Sequence, residues 1–412
     1  MNFHSRLLLA AVLLLGACTA PAGAATQATG APSPQAEAIA KIVRDGMTAG
    51  SLRAAVFKVT KGDQVITSQA FGESLDGVPA TTAMRFRNGA VAFAYLGTLL
   101  LLFTEEGKAK LDDPVERWMP TLPEAGKVTL KMLANQTSGY PDFETDPAWN
   151  AAFNADPFQS WTFEERMKYA FSRPVQFTPG SNWSYAHTNF MILGEILAKI
   201  GGKPLDVLLR EKVLGPMGLR ETVANNTGAI PEPVLHSFSS ERRQALGVPA
   251  GTGFYEEATF WNADWGTPNG ASQTTTIDDM ARTAIAVGEG TLLSEASYRA
   301  MTDPNLLGFG HPQDNCKPSC FTQVEGYNYG LGVVRSGGWL LQNPLLGGYS
   351  ATEAFLPAEK VGISVAVTYL PGAFDCQGNY PNASDLLFRQ IAAHMTPDHA
   401  PPMPAPFQKA VC

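Results

Sequence analysis

Tyr185 and His187 are the side chains in this sequence whose types and spacing suggest proton transfer. A histidine titrates near neutral pH and can act as a general base when a nucleophile lies beside it. The sequence has no Gly-x-Ser-x-Gly elbow, no His-Glu-x-x-His pair and no phosphate-binding loop, and no lysine follows a serine by three residues. A histidine without a nucleophile is more often structural, and Tyr185 could equally be a buried tyrosine with a satisfied hydroxyl group.

Tryptophans in the middle of the chain could line a ligand cleft, although core packing is the commoner role of large aromatic side chains. The segment 261–270 mixes tryptophans with turn residues and is the most cleft-like stretch of the chain. Both interpretations stay open. The tryptophans concerned are Trp149, Trp161, Trp183, Trp261 and Trp265.

The elements that must position these residues follow from hydrophobic spacing. Residues 35–50 carry apolar side chains at helical spacing, and two apolar runs around Lys61-Gly62-Asp63 predict a β-hairpin. The middle of the chain, from about 90 to 325, is predicted to be helix and loop. Towards the other end, three strands and an amphipathic helix are predicted over residues 329–334, 350–356, 361–369 and 383–395.

Strands near both ends, with helices between them, predict one antiparallel sheet built from both terminal regions. The predicted fold class is therefore α/β of the α+β type, with flanking helices and a large inserted helical region. The apolar run 96–103 ends at Glu105 and Glu106 and is too short to cross a membrane, so we expect a buried core helix there. The length fits one large domain over residues 35–400.

Six local motifs, in order along the chain, resemble those of the serine β-lactamase and penicillin-binding protein family, which includes class C β-lactamases, DD-peptidases and esterases. Residues 105–115, EEGKAKLDDPV, are similar to the family's EEGKLxLDDPV, and residues 177–185, FTPGSNWSY, are similar to FxPGxxWxY. The resemblance spans residues 36–396 and implies a β-lactamase/transpeptidase-like fold. The other four segments are 84–89, 128–139, 214–219 and 329–333.

The family that this sequence resembles works through a serine and a lysine that open a helix three residues apart, so that both share one face. The helix N-terminus and the lysine favour the attacking alkoxide. The resemblance places Ala90 at the serine position and Phe93 at the lysine position. Alanine has no oxygen to attack with, and phenylalanine has no proton to exchange. The resemblance therefore implies a member that lacks the catalytic dyad.

The family's other two motifs are changed as well. In its Tyr-x-Asn motif the tyrosine matches Tyr185, but His187 stands where asparagine is expected. When the sequence is aligned with the family on residues 347–350, Gln342-Asn343-Pro344 falls at the family's Lys/His-x-Gly element. A proline in that element has no backbone N–H group to donate. We expect a ligand cleft around Ala90 whose candidate residues are Tyr185, His187, Trp261, Asn269, Gly347, Gly348 and Ser350.

The first residues predict an export signal with a lipid anchor. Arg6, the apolar run 7–15 and Cys18 together resemble a bacterial lipobox, which makes residues 1–18 a lipoprotein signal and Cys18 the lipidated residue. Ordinary cleavage after Ala22-Gly23-Ala24 is the alternative. Residues 19–34 predict a flexible tether, and 401–412 form a proline-rich tail. We therefore expect an exported protein anchored to the bacterial cell membrane.

Four further cysteines are an even number, which favours two disulfides in an exported chain. Three pairings are possible and all stay open. A metal site is less favoured because His311 is the only histidine near the closest pair, so we expect neither metal nor cofactor. With a formal net charge of −8 and no basic cluster, nucleic acid is not an expected partner. The cysteines are Cys316, Cys320, Cys376 and Cys412.

Three functional hypotheses follow from the sequence. The leading one is a catalytically inactive relative that binds a peptidoglycan peptide, a lipid or a partner protein in its cleft. The second is a serine hydrolase of β-lactamase, carboxypeptidase or esterase type with a relocated nucleophile, Ser184 or Ser350, and His187 as its base. The third is a scaffold without a ligand.

Overall fold

The computed structural model describes residues 33–262 and 266–411. The predicted signal with its lipidation site Cys18, nearly all of the predicted tether, Trp265 and Cys412 lie outside the described residues. The described strands are β1 (Leu52–Lys61), β2 (Gln64–Leu75), β3 (Val78–Pro79), β4 (Phe86–Arg87), β5 (Val223–Ala224), β6 (Phe238–Ser239), β7 (Glu256–Glu257), β8 (Gln273–Thr275), β9 (Asn328–Tyr329), β10 (Val334–Ser336), β11 (Trp339–Gln342), β12 (Leu345–Leu346), β13 (Tyr349–Leu356) and β14 (Val361–Tyr369).

The described helices occupy both ends of the chain and most of the region between the two groups of long strands. They are α1 (Pro34–Gly50), α2 (Val91–Glu105), α3 (Leu130–Ala134), α4 (Pro147–Ala155), α5 (Phe163–Ala170), α6 (His187–Gly201), α7 (Leu205–Leu209), α8 (Ile277–Gly288), α9 (Glu295–Thr302) and α10 (Ala383–Met395).

The main sheet is antiparallel and joins the two ends of the chain, which confirms the predicted fold class. Its strand order is β3-β2-β1-β14-β13-β11-β10-β9, with β12 paired to β13. Strand β1 lies beside β14, with Ala55 opposite Val367. Every residue of β13 and β14 is buried, so both faces of the sheet must be covered. Helices α10 and α8 pack on β13 and β14, and α1 packs on β1 and β2 and against α10.

The terminal helices and the hairpin agree with their predictions. Helix α1 begins after Ser33, whose hydroxyl group accepts a hydrogen bond from the backbone N–H of Ala36 at 3.2 Å, and Pro34 suits the first helical turn. Strands β1 and β2 meet in the predicted hairpin, and α10 has the predicted bounds.

The prediction of a continuous strand over 329–334 is wrong, because the chain forms β9 and β10 with a break between them. At Gly330 an added Cβ atom would lie 2.0 Å from the carbonyl oxygen of Met301, and at Gly332 it would lie 2.2 Å from that of Phe93. Between β9 and β10 the backbone departs from an extended strand and lies against α9 and α2. The middle region also contains short strands, since β4, β8 and β5 form a separate sheet.

Helix α2 is the buried core helix expected from the apolar run. Its sequence is hydrophobic all round, which is typical of a helix enclosed by other elements. Residues that are not buried are confined to Leu102, Thr104 and Glu105 near its C-terminus. Among the helices in the part of the chain that the structure describes, none combines the length and hydrophobicity that a membrane span requires.

A disulfide bond joins Cys316 to Cys320, and both residues pack against Phe177. Among the pairings that the sequence left open for these two cysteines, the structure has the one that joins them to each other. Cys376 lies beside the C-terminal segment, where its sulfur is 3.2 Å from the carbonyl oxygen of Ala410.

Candidate functional site

A cleft of about 290 Å³ opens where the N-terminus of α2 meets the start of α6 and the turn from β11 to β12. We call it the Ala90 cleft. The residues just before α2 supply Gly89 and Ala90, α6 supplies His187, and the β11–β12 turn supplies the facing wall. Its lining residues are Gly89, Ala90, Tyr185, His187, Gly266, Thr267, Tyr327, Gln342, Asn343, Pro344, Leu345 and Leu346.

Ala90 and Phe93 have different surroundings. Ala90 stands immediately before α2 and lines the cleft. Phe93 is fully buried and stacks on Phe190 of α6, with ring centroids 3.9 Å apart and an interplanar angle of 4°. The rings of Tyr185 and His187 lie 6.3 and 6.0 Å from that of Phe93. The cleft therefore stays open above Ala90, and an aromatic cluster forms its floor.

His187 is held between two carboxylates. Its Nδ1 atom lies 3.0 Å from an oxygen of Asp142 and 3.1 Å from an oxygen of Glu144. The segment that carries these carboxylates is fixed to the first turn of α6 by Thr188, which accepts from the N–H of Phe143 at 3.2 Å and donates to the carbonyl oxygen of Pro141 at 2.7 Å. We call Asp142, Glu144 and His187 the ionic triad.

The ionic triad favours a protonated imidazole. Burial by itself lowers the pKa of His187, but the charges of Glu144 and Asp142 and the hydrogen bond to Asp142 outweigh it and raise the pKa to about 9. Burial raises the pKa of Glu144 above its usual range. An imidazolium at the first position of a helix opposes the helix dipole, so the carboxylates are what stabilises it. The balance of these effects favours the protonated form of His187.

These three residues are also a group of His, Asp and Glu side chains, within the described residues, that could hold a metal ion, because their ligand atoms lie within 4.8 Å of one another. The two short distances from Nδ1 to carboxylate oxygens are ordinary hydrogen-bond lengths. His187 Nδ1 forms its hydrogen bond with Asp142, whereas Glu144 faces the same nitrogen as a charge contact at 3.1 Å. Motif comparison singled out His187 but missed both carboxylates.

Tyr185 lies edge-on to His187, with ring centroids 5.1 Å apart, and also contacts Tyr329 at 6.2 Å. Burial raises the pKa of Tyr185 well above its usual range. Phe93 offers no positive charge that would stabilise a phenolate at this position. Tyr185 is therefore a neutral phenol at physiological pH.

The wall opposite Ala90 is formed by Gln342, Asn343 and Pro344 at the turn from β11 to β12. Gln342 donates from Nε2 to the carbonyl oxygen of Gly332 at 2.6 Å, and Asn343 donates from Nδ2 to Asp385 at 3.2 Å. Pro344 has no N–H group, and its ring packs on the backbone of Gly89. The side chains of Gln342 and Asn343 are thus engaged with the protein, and the wall beside Ala90 is apolar at Pro344.

The contact between Gly89 and Pro344 gives a prediction. Gly89 has a φ of +49°, and a Cβ atom there would lie 2.7 Å from the Cβ of Pro344. We expect Gly89→Ala to destabilise the fold by about 2–4 kcal/mol, combining the backbone cost with overpacking. Gly77→Ala is the matched control, because Gly77 has a φ of +76° and open space around it. Equal losses for both variants in chemical denaturation would contradict the Pro344 contact.

The structure separates the remaining cleft candidates from Ala90. Trp261 and Gly347 line a second cleft of about 300 Å³, to which Glu144 also contributes. Asn269 is exposed and accepts from Arg166 at 3.2 Å. Gly348 is held against the backbone of Phe238. None of these four positions lines the Ala90 cleft.

The serines considered as relocated nucleophiles are buried. Ser350 is fully buried, and its hydroxyl group lies 2.6 Å from the hydroxyl of Tyr369 and accepts from the N–H of Ser384 at 3.1 Å. Ser184 is 3% exposed. Neither serine lines the Ala90 cleft.

The family model described as Beta-lactamase matches residues 39–387 of this sequence. The chain therefore belongs to the β-lactamase family. The order of motifs had implied this membership, and the match confirms it.

Two bacterial proteins are among the relatives that this chain resembles in sequence. The chain is 25% identical over 304 residues to a D-aminopeptidase of Gluconobacter oxydans, and the matched region covers 72% of this chain and 51% of the relative. It is 27% identical over 183 residues to penicillin-binding protein 4* of Bacillus subtilis, which covers 43% of this chain and 39% of the relative. The chain thus spans about half, or less, of the length of these relatives.

Solved structures agree on the fold. The D-amino acid amidase from Ochrobactrum anthropi, complexed with L-phenylalanine, has a TM-score of 0.72 at 21% identity and covers 88% of this chain and 99% of its own. A penicillin-binding protein from Bacillus halodurans has a TM-score of 0.66 at 17% identity and covers 86% of this chain and 99% of its own. At these identities the likeness shows a shared fold.

Proposed function

We propose that this protein is a non-hydrolytic member of the β-lactamase family that binds a ligand of the bacterial cell envelope in the Ala90 cleft. The observation that carries the proposal is the methyl group of Ala90, which lines an open cleft at the position of the family's nucleophile. A pocket that remains open after losing its attacking oxygen can still bind without reacting.

The proton-transfer groups support the same proposal. Phe93 packs on Phe190 where the family has a lysine, so no ammonium is available to exchange a proton. The charges of Glu144 and Asp142 favour the protonated form of His187, whose Nδ1 hydrogen-bonds to Asp142. A general base must be unprotonated at the working pH. The hypothesis of a hydrolase with His187 as base and Ser184 or Ser350 as nucleophile therefore has little structural support.

The names of the relatives suggest the chemistry of the ligand. A D-aminopeptidase and a D-amino acid amidase are among the similar proteins, so a peptide containing D-amino acids is our first candidate. A lipid and a partner protein are the alternatives. We further propose that the chain is exported and anchored through Cys18, so that the cleft meets its ligand at the cell envelope.

The proposal predicts that the purified protein neither hydrolyses nitrocefin or simple esters above the buffer rate nor forms a covalent adduct. Incubation with a fluorescent penicillin and with a fluorophosphonate, followed by intact-mass measurement, checks this. An active penicillin-binding protein treated in parallel shows that the probes work. A stoichiometric adduct on any serine would refute the binding-only function.

Ligand binding needs its own measurement. We expect muropeptides with D-amino acids to raise the melting temperature of the protein. The variant Ala90→Phe fills the cleft from its own wall and should abolish this increase while the unliganded protein stays folded. A flat response to muropeptides, together with a response to lipid vesicles, would assign the cleft to a lipid. A flat response to both would favour a scaffold.

A further inference from the structure

The second cleft, lined by Trp261 and Gly347, has a wall whose chemistry the proposed function does not use. Helix α4 carries an aromatic residue followed by an asparagine twice, one helical turn apart, as Trp149-Asn150 and Phe153-Asn154. Residues four apart lie on the same face of a helix. All four of these side chains line the cleft.

The aromatic part of this wall is ordered by ring contacts. Trp149 and Phe153 stack with centroids 5.2 Å apart and an interplanar angle of 8°. Phe153 also meets Trp261 edge to face at 6.0 Å. Trp149 and Trp261 are buried, so the half-buried ring of Phe153, fixed between them before any ligand arrives, is the main apolar surface of the wall.

The polar groups around these rings are mainly amides. Asn150 and Asn154 donate from Nδ2 to the backbone carbonyl oxygens of Glu144 and Asn150, at 2.6 and 2.8 Å, which leaves each Oδ1 atom to accept from a ligand. On the facing turn, Gln377 accepts from Asn379 with Oε1 at 3.3 Å, which leaves its Nε2 group to donate. The turn is fixed because Gly378 lies against the backbone of Ser240.

The charges decide which ligands fit. Glu144 and Glu241 line the cleft, and its described lining contains no lysine, arginine or histidine. An anionic ligand is therefore disfavoured. Glu144 is paired with protonated His187, and the guanidinium of Arg242 lies 5.9 Å from the ring centroid of Trp261. A ligand cation therefore gains less here, because the carboxylate of Glu144 and the ring of Trp261 already have a positively charged neighbour.

From the ordered aromatic wall around Phe153, the amide acceptors, the amide donor and the absence of basic residues in the described lining, we propose that the second cleft binds an uncharged saccharide unit. The apolar C–H face of a sugar ring packs on the aromatic wall, and its hydroxyl groups both donate and accept at the amides. With about 300 Å³, the cleft is near the lower end of ligand-site volumes and suits a small ligand.

Titration calorimetry of the full-length protein with chitotetraose and cellotetraose tests this site. We expect at least one of these uncharged tetrasaccharides to bind with a Kd of about 0.1–1 mM. Asn154→Ala, a change at a half-buried polar side chain, should weaken binding at least fivefold, and Phe153→Ala should weaken it at least tenfold. Phe158→Ala is the matched control, since Phe158 is 60% exposed just beyond α4 and does not line the cleft, and it should leave the Kd within twofold.

Three outcomes would overturn the assignment. The first is no binding of either tetrasaccharide up to about 20 mM, roughly 20 times the weakest expected Kd. The second is binding that neither Asn154→Ala nor Phe153→Ala weakens, and the third is binding of tetramethylammonium in place of the saccharides. Covalent labelling of a serine would refute the non-hydrolytic function without changing the calorimetric result. The two proposals therefore fail in different experiments.

Discussion

Replacing Phe93 with alanine is expected to lower the free energy of unfolding by about 3–5 kcal/mol. The ring is fully buried beside Tyr185 and His187, which line the Ala90 cleft, and stacks on Phe190 with centroids 3.9 Å apart. Its backbone carbonyl is also the point that Gly332 approaches. Because α2 and α6 enclose the ring, the structure cannot collapse fully into the vacated space. Urea denaturation should show a lower midpoint with an unchanged slope.

Phe158→Ala is the control for this experiment. Phe158 is 60% exposed, so its truncation should change stability by less than about 0.5 kcal/mol. If Phe93→Ala cost less than about 1 kcal/mol, then packing at position 93 would not account for the aromatic residue there. Phe93→Lys should be at least as damaging, because its ammonium would be buried among rings near the imidazolium of His187.

Each departure from the family's chemistry is thus matched by a contact that now serves packing or charge pairing. Phe93 stacks on Phe190, Pro344 packs on Gly89, and His187 joins two carboxylates. Restoring a serine at position 90 and a lysine at position 93 would leave the other two contacts in place. The proposed binding function therefore predicts that these two substitutions alone do not produce hydrolysis.

Periodicity predicted much of the fold because the longest elements are also the most strongly patterned. The helix over 383–395 and the strand over 361–369 have the bounds that their apolar residues indicated. The break between β9 and β10 could not be predicted in this way. The break depends on the close approach of Gly330 and Gly332 to backbone carbonyl oxygens of α9 and α2, and these helices are distant from the two glycines in sequence.

Alignment with the family's motifs predicted some residues of the candidate site and missed others. Ala90, Tyr185 and His187 share a cleft, as the motifs implied. Ser350 was expected there too, but side chains alternate across a strand, and its hydroxyl group faces Ser384 of α10. The carboxylates of Asp142 and Glu144 were missed because only the fold of their loop against Thr188 brings them to His187.

His187→Asn, which introduces the residue expected from the family's motif, should destabilise the protein by about 3–5 kcal/mol at neutral pH, because it leaves two carboxylates without their counter-charge. Neutralising all three residues, as Asp142→Asn, Glu144→Gln and His187→Asn together, should recover most of that loss. His236→Asn is the matched control. His236 pairs with Glu257 at 2.6 Å, but Glu257 is 41% exposed, so the loss should stay below about 1 kcal/mol.

The cost of His187→Asn should also depend on pH in a defined direction. The pKa of His187 is about 9 in the folded protein and about 6.5 in an unfolded chain, so its protonation stabilises the folded state. That contribution is present in full below about pH 6.5 and disappears as the pH rises through about 9. The stability difference between wild type and variant should therefore shrink between these values. An imidazole titration by NMR that placed the pKa of His187 below 7 would contradict the ionic triad, and with it the claim that His187 cannot act as a base.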